Sequence, residues 1–299
     1  MFKVYYNNLC KSLKLRKVLK MSDKALRLIE EKAVNKSGRL IIPFFLCREI
    51  ARECGMPARE VEALALVNGI CPSRYERNIG TFGMEGQARL LRSRAAVLGC
   101  GGLGGWIIEL LARAGVGEIV MADGDVFDEN NLNRQHMCWE ENIGMSKAEA
   151  AEYMVRLVNG AVTAIPRAEY IDEKNAFDML NGCNVAIDAL DNNKSRSIAL
   201  NTCQKLGIPF VHGAIGGFFC EAGVFYRDDQ PFWEAEDVPD RGIETCTGNP
   251  PFTPAFIASV QTAEAVKILA GLKGQIKGTL LWFDLQCLDF QKIKLPVRH

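Results

Sequence analysis

The stretch Arg94-Ala-Ala-Val-Leu-Gly-Cys-Gly-Gly-Leu-Gly104 decides the fold. Its first five residues read as a strand and residues 103–114 as a helix, so Gly99, Gly101 and Gly104 mark a tight turn between the two. Glycines at this spacing let a phosphate approach backbone amides at a helix N-terminus, where free N–H groups and the helix dipole favour an anion. A turn built only for close strand–helix packing would use the same residues. Asp123 ends the next strand, Glu118–Ala122, where a carboxylate accepts hydrogen bonds from ribose hydroxyls. Turn and carboxylate together point to a nucleotide, and to adenosine before the others.

Working outward, the pattern alternates. A helix is expected over 147–158, a short strand over 162–166, a strand over 185–189, a helix over 195–206 and a strand over 209–213. Alternation of this kind implies an α/β, Rossmann-like fold, a doubly wound and mostly parallel sheet with right-handed crossovers. After Gly216 the character changes: residues 218–226 and 279–294 read as antiparallel strands around a helix over 255–270, an antiparallel extension of the same sheet. Residues 227–254, rich in Asp, Glu and Pro, read as a mobile crossover loop that packs no core.

Upstream, residues 22–70 read as three short helices: Ser22 and Asp23 cap the first, Phe44–Cys54 forms a second that stops at Gly55, and Pro57 opens a third that stops at Gly69. The phrase from Cys47 to Glu62 has the look of a helix-turn-helix. A DNA-reading helix needs Lys and Arg near the groove, whereas Glu60 and Glu62 stand at the start of this one, so a small helical accessory module is the reading we adopt.

Lys+Arg 36 balance Asp+Glu 36 over 299 residues, and the pI is near 6.8, which argues against a general nucleic-acid binder. The balance is a cancellation. Residues 1–20 carry six bases and no acid, leaving 30 bases against 36 acids in the rest. This basic leader has no apolar run of signal-peptide length, and Met21 looks like an ordinary start, so the leader is expected to be disordered and dispensable. The longest apolar stretch, Leu40 to Cys47, contains Pro43, so no membrane span is expected. Eleven cysteines include no Cys-x-x-Cys pair, which speaks against structural zinc and a disulfide framework and for a reducing cytoplasm.

A dehydrogenase would place an apolar nicotinamide pocket after Asp123. Here the segment from Asp123 to His136, followed by Gly144-Met-Ser-Lys147, is polar throughout. Asn131, Arg134, Gln135 and Lys147 are candidates to converge on a triphosphate, since a guanidinium makes bidentate phosphate contacts and an ammonium supplies compact charge. Asp191, in Asp188-Ala-Leu-Asp-Asn-Asn193, would face the same crevice from a strand C-terminus. It suits Mg²⁺, which takes few protein ligands plus phosphate oxygens, or equally the cap of the following helix.

Taken in order, Arg74-Tyr-Glu-Arg-Asn78, Gly83 to Gln87, Gly99 to Gly104, Ala114-Gly-Val-Gly117, Asp123-x-Asp125, Asn131-Leu-Asn-Arg-Gln135, Gly144-x-x-Lys147 and Asp191-Asn192 resemble the MoeB/ThiF/HesA family, bacterial relatives of ubiquitin-activating enzymes. The resemblance covers about residues 74–295 and includes Gln261-x-x-Glu264-Ala-x-Lys267. It implies ATP- and Mg²⁺-dependent adenylation of the C-terminal Gly-Gly carboxylate of a small ubiquitin-like sulfur carrier, releasing pyrophosphate, in molybdopterin, tungstopterin or thiamine-type sulfur transfer. It implies that Gly102 and its neighbours touch the nucleotide, Asp123 holds ribose, Asn131, Arg134 and Lys147 hold phosphates, and Asp191, beside Asn192, binds Mg²⁺. By the same resemblance Arg77 reaches into the partner's site of a homodimer. The domains expected are then the leader 1–20, the helical module 21–72 and an ATP-binding adenylation domain 73–299.

The sequence departs from the family in three places. The two Cys-x-x-Cys pairs of zinc-binding members are missing, so no zinc is expected. Cys246, in Glu244-Thr-Cys-Thr-Gly248, stands roughly where some members carry a cysteine that links covalently to the carrier, and both that role and an inert loop thiol stay open. The helical module lies outside the basic family pattern. Alternatives are adenylation of another peptide or tRNA-linked carboxylate by the same chemistry, and a non-enzymatic nucleotide-binding regulator.

Overall fold

The computed structural model describes residues 20–235 and 238–295, which form two compact units, one ending at Arg92 and one beginning at Ser93. The basic leader, apart from Lys20, lies outside the described residues, as does the chain after Leu295.

The first unit runs α1 (20–32), β1 (Val34–Lys36), β2 (Arg39–Ile42), α2 (Phe44–Cys54), α3 (Ala58–Val67), β3 (Cys71–Pro72) and α4 (Ile79–Leu91). Helix α1 is already under way at Lys20, so Ser22 and Asp23 lie inside it and do not cap it, contrary to expectation. Gly55 closes α2 in the left-handed conformation (φ 63°), as expected of a glycine after a helix. The β1–β2 hairpin went unread in the sequence. It turns on Ser37 and Gly38, both at positive φ, and β2 pairs with β3 in parallel.

Helix α3 is buried on two flanks. Val61 and Ala65 join a core with Ile29, Ile42 and Ile50, while Ala63 and Leu66 pack with Tyr75, Ala88 and Leu91. The helix that would read DNA in a helix-turn-helix is thus enclosed within its own unit. The second of these clusters also explains why the unit runs on to Arg92 and not to residue 72: Tyr75 and α4 complete the cover of α3.

The second unit runs β4 (Arg94–Leu98), α5 (Gly102–Ala114), β5 (Glu118–Ala122), α6 (Lys147–Val158), β6 (Thr163–Arg167), α7 (Ala176–Leu180), β7 (Val185–Asp188), α8 (Asn193–Leu206), β8 (Phe210–Gly216), β9 (Phe219–Phe225), α9 (Glu244–Thr247), α10 (Phe252–Ala270), β10 (Thr279–Asp284) and β11 (Asp289–Lys294). These strands form one sheet in the order β11-β10-β9-β8-β7-β4-β5-β6. Pairing is parallel from β8 through β6 and antiparallel from β8 to β11, the mostly parallel sheet with an antiparallel extension that the sequence implied.

From β4 the chain winds outward to β5 and β6, then returns to β7 on the other side of β4. The loops after β4 and β7 therefore diverge and leave a crevice at the C-terminal ends of the strands, where open α/β sheets bind ligands.

The segment after β9 corrects the expectation of a coreless loop. A 3₁₀ turn, Phe232–Glu234, buries Trp233, whose indole N–H donates to Ser197 Oγ at 3.2 Å, and α9 follows. Two adjacent aromatics supply apolar surface that the Asp, Glu and Pro around them conceal in a composition average.

Candidate active site

A cavity of about 1000 Å³ opens at that crevice. Its β4 side is the glycine turn, whose glycines do two jobs. A Cβ on Gly99 (φ 98°) would stand 2.3 Å from the Ala189 carbonyl oxygen, and one on Gly104 only 1.8 Å from the Gly99 carbonyl oxygen. These two let strand, turn and helix close on one another. A Cβ on Gly101 or Gly102 would meet nothing nearer than 3.6 Å, and both residues line the cavity. These two present bare backbone at the start of α5.

Asp123 lines the cavity at the end of β5. Its Oδ2 accepts from the Cys100 amide at 2.7 Å and its Oδ1 from the Asp125 amide at 2.8 Å, so the carboxylate ties the glycine turn to the next loop. Burial raises its pKa above the ordinary carboxylate value, against the pull of those two amides. Lys147, the first residue of α6, is 7% exposed, and its Nζ donates to Asp125 Oδ2 at 3.0 Å. Burial acts against the Asp125 carboxylate, but the Tyr170 hydroxyl that donates to it and the Lys147 ammonium outweigh this and hold its pKa below the usual range.

Arg134 and Gln135 line the cavity beside the bare glycines. Arg134 Nη1 donates to the Asn130 carbonyl and to Asn133 Oδ1, both at 2.9 Å. Gln135 Oε1 is buried and accepts no hydrogen bond among the described residues, an acceptor left over next to Gly101. Asn131 is not part of the cavity wall. Its Oδ1 accepts from the Asp128 amide at 3.2 Å and its Nδ2 donates to Asn130 Oδ1 at 2.5 Å, which shapes the turn that carries Arg134.

On the β7 side, Asp191 and Asn192 line the cavity. Asn192 caps α8, its Oδ1 accepting from the Ser195 amide at 2.8 Å. The capping role left open for Asp191 therefore falls to its neighbour, and Asp191 stays exposed, accepting from Asn192 Nδ2 at 3.1 Å. Arg77 belongs to the first unit, where it is exposed in the turn before α4.

Sequence reading missed a buried cluster in this wall. Asp188 Oδ2 accepts from Arg196 Nε and bonds His212 Nδ1, both at 2.7 Å, while His212 Nε2 lies 3.2 Å from Glu221 Oε1. Arg196 Nη2 also donates to the Leu190 carbonyl at 2.9 Å, and Gln261 Nε2 to the Asp188 carbonyl at 2.7 Å. The cluster clamps the loop that carries Asp191. Burial raises the Asp188 pKa, but Arg196 and His212 overcome it and leave the carboxyl below its ordinary value. For His212, burial is outweighed by its hydrogen bonds to Asp188 and Glu221, and its pKa lies above 6.5. Strand adjacency alone brings residues 188, 212 and 221 together, so no local spacing announces them.

The model of the ThiF family matches residues 75–299. The chain belongs to the ThiF family. Among relatives, it is 36% identical over 227 residues to the SAMP-activating enzyme E1 of Haloferax volcanii, a match covering 74% of this chain and 84% of that protein. It is 32% identical over 233 residues to the mouse adenylyltransferase and sulfurtransferase MOCS3, covering 76% of this chain and 51% of that one, so it spans about half the length of this relative. Among solved structures, Escherichia coli MccB with ATP superposes with a TM-score of 0.66 at 17% identity, over 84% of this chain and 79% of that one. PaaA does so with a TM-score of 0.64 at 21% identity, over 75% and 74%. At such identities the likeness is one of fold, and it is the Rossmann-like fold of ThiF-family members. The match begins at residue 75, inside the first compact unit, so the family region takes in Arg77 and α4.

Proposed function

We propose that this ThiF-family chain is an ATP-dependent adenylyltransferase that activates the C-terminal Gly-Gly carboxylate of a small ubiquitin-like sulfur carrier, in molybdopterin, tungstopterin or thiamine-type sulfur transfer. One observation carries the reading: a single cavity gathers bare glycine backbone at a helix start, the cations Arg134 and Lys147, and the exposed carboxylate Asp191. The names of the relatives support it, since they describe an activating enzyme and adenylyltransferases.

The residues fit ATP. Gly101 and Gly102 put bare backbone on the cavity wall at the start of α5, and the unpartnered Gln135 Oε1 can accept from a nucleotide N–H or hydroxyl. In the reaction, a carboxylate oxygen of the carrier attacks the α-phosphorus of ATP, the bond to the bridging oxygen breaks, and pyrophosphate leaves with that electron pair. Two anions approach and charge builds on the leaving group, so Arg134 and Lys147 are there to offset it. Lys147 donates to Asp125 in the cavity wall, and phosphate oxygens compete with that carboxylate for its ammonium. A Mg²⁺ ion held by Asp191 would supply further positive charge to the phosphates. Asp123 faces the ribose, and Arg77 of a partner subunit completes the charge in a homodimer. The cavity is also lined by Phe219 and Trp282, stacked with centroids 5.3 Å apart, and by Ile243 and Cys246, a surface suited to a thin, side-chain-free tail. The working compartment is the cytoplasm, where thiols such as the eight buried and two exposed free cysteines described stay reduced.

The test is ATP–pyrophosphate exchange with candidate carriers ending in Gly-Gly. Exchange that requires the carrier and its terminal glycine is the expected result. Tight NADH binding with none for ATP, or no exchange with any carrier, contradicts the proposal.

A further inference from the structure

The turn that carries Arg77 is held from both sides by buried polar side chains of its own unit. Ahead of it, Glu62 of α3 is completely buried, its Oε2 accepting from the Tyr75 hydroxyl at 3.1 Å and its Oε1 lying 3.3 Å from Arg74 Nε. The Arg74 guanidinium also stands over the Phe44 ring, 5.0 Å from its centroid. Behind it, Asn78 Nδ2 donates to Oε1 of the fully buried Gln87, on α4, at 3.0 Å. Between these anchors Arg77 is exposed, and its side chain makes no hydrogen bond or ion pair among the described residues.

A buried carboxylate is a costly way to join two segments, because desolvation opposes it and an apolar pair of similar volume is often as stable. What a buried carboxylate adds, with a hydroxyl donating to one oxygen and a guanidinium beside the other, is direction. Here it holds the side chains of residues 74 and 75, three and two positions before the exposed Arg77. The module that the sequence shows as an accessory, residues 21–72, thereby supplies the mount for a residue of the family region.

We propose that Glu62 is a positioning residue for adenylation, acting through Tyr75 and Arg74 on the turn that presents Arg77. The proposal rests on the reading that Arg77 contributes charge to the transition state. A displacement of about 1 Å in such a group costs on the order of a hundredfold in rate, so loosening the turn shows in kcat before it shows in binding.

The experiment is a double-mutant cycle on the full chain, read by carrier-dependent ATP–pyrophosphate exchange, with Glu62→Gln, Tyr75→Phe and Arg77→Ala, and each of the first two combined with the third. Glu62→Gln and Tyr75→Phe are expected to lower kcat on the order of ten- to a hundredfold while KM for ATP changes by less than about twofold. Each double variant is expected to be no slower than Arg77→Ala alone, because residues acting through one group are not additive. Tyr75→Phe removes one hydroxyl and keeps the ring, so it carries the cycle should Glu62→Gln fail to fold. Wild-type kcat in both single variants, or multiplicative losses on top of Arg77→Ala, overturns the proposal and leaves the Arg77 reading standing. Wild-type kcat in Arg77→Ala overturns that reading, and the role of Glu62 with it.

Discussion

Substituting alanine at Gly104 and at Gly102 separates packing from ligand contact within one motif. At Gly104 the new methyl would stand 1.8 Å from the Gly99 carbonyl oxygen, while real Cβ contacts stay beyond 3.0 Å. Strand β4 and helix α5 must part by roughly 1 Å or more in an interior that is close-packed, which costs about 1–3 kcal/mol and occasionally more. At about 2–4 °C per kcal/mol for a chain of this size, the melting temperature should fall by about 2–12 °C. At Gly102 the methyl meets Pro254 at 3.6 Å and the Arg134 carbonyl at 3.7 Å, ordinary contacts. Gly102 is also the first residue of α5, where alanine is a better helix former by up to about 1 kcal/mol. Its melting temperature should hold or rise. The methyl narrows the cavity wall at the helix start, so ATP affinity should drop about tenfold, or 1.4 kcal/mol. Thermal melts followed by circular dichroism and calorimetric ATP titration read both quantities. A Gly104→Ala protein that melts like wild type, or a Gly102→Ala protein that melts low and binds ATP normally, would refute the division.

Four further outcomes follow from the same wall. Asp191→Ala should leave the melting temperature unchanged, since the side chain is exposed, but cut carrier-dependent exchange on the order of a hundredfold; undiminished exchange removes Asp191 from the mechanism. Asp188→Asn should cost about 3–5 kcal/mol by leaving Arg196 short of its buried partner, measured by urea unfolding. The His212 pKa is raised on folding, so its contribution to stability is full below pH 6.5 and is lost as pH rises through the folded value. His212→Gln should flatten that alkaline limb, and an unchanged profile argues against the coupling. Among the described cysteines only Cys246 and Cys287 are exposed, and the Asp284 carboxylate raises the Cys287 pKa. Maleimide should therefore modify Cys246 before Cys287 at neutral pH, and more slowly with ATP filling the cavity that Cys246 lines, as peptide mapping will show.

How much of this was legible depended on whether the signal was local. The strand–glycine–helix turn, the alternation after it and the antiparallel tail are patterns of neighbouring residues, and the sheet follows them closely. A packing role for the turn was readable, but not that Gly99 and Gly104 are the glycines that carry it, because their partners are the backbone of Ala189 and of Gly99 itself. The β1–β2 hairpin was announced only by Ser37-Gly38; its first strand is exposed throughout and so shows no apolar alternation. Trp233 was hidden by acidic neighbours. Asp188, His212 and Glu221 meet across adjacent strands, and Glu62 meets Arg74 and Tyr75 across a helix–turn contact, relations that tertiary structure alone creates. Asn131, whose spacing points to a phosphate ligand, also has hydrogen bonds that shape the turn bearing Arg134, which the sequence did not announce.

Adenylation requires that a carboxylate oxygen of the carrier become bonded to the α-phosphorus of ATP. The direct measurement uses a carrier whose terminal carboxylate is labelled with heavy oxygen, incubated with this enzyme and ATP, followed by mass analysis of the nucleotide released after the adenylate is broken down. AMP carrying one labelled oxygen, with unlabelled pyrophosphate, is the expected result. Unlabelled AMP, or ADP and phosphate in place of AMP and pyrophosphate, would contradict it.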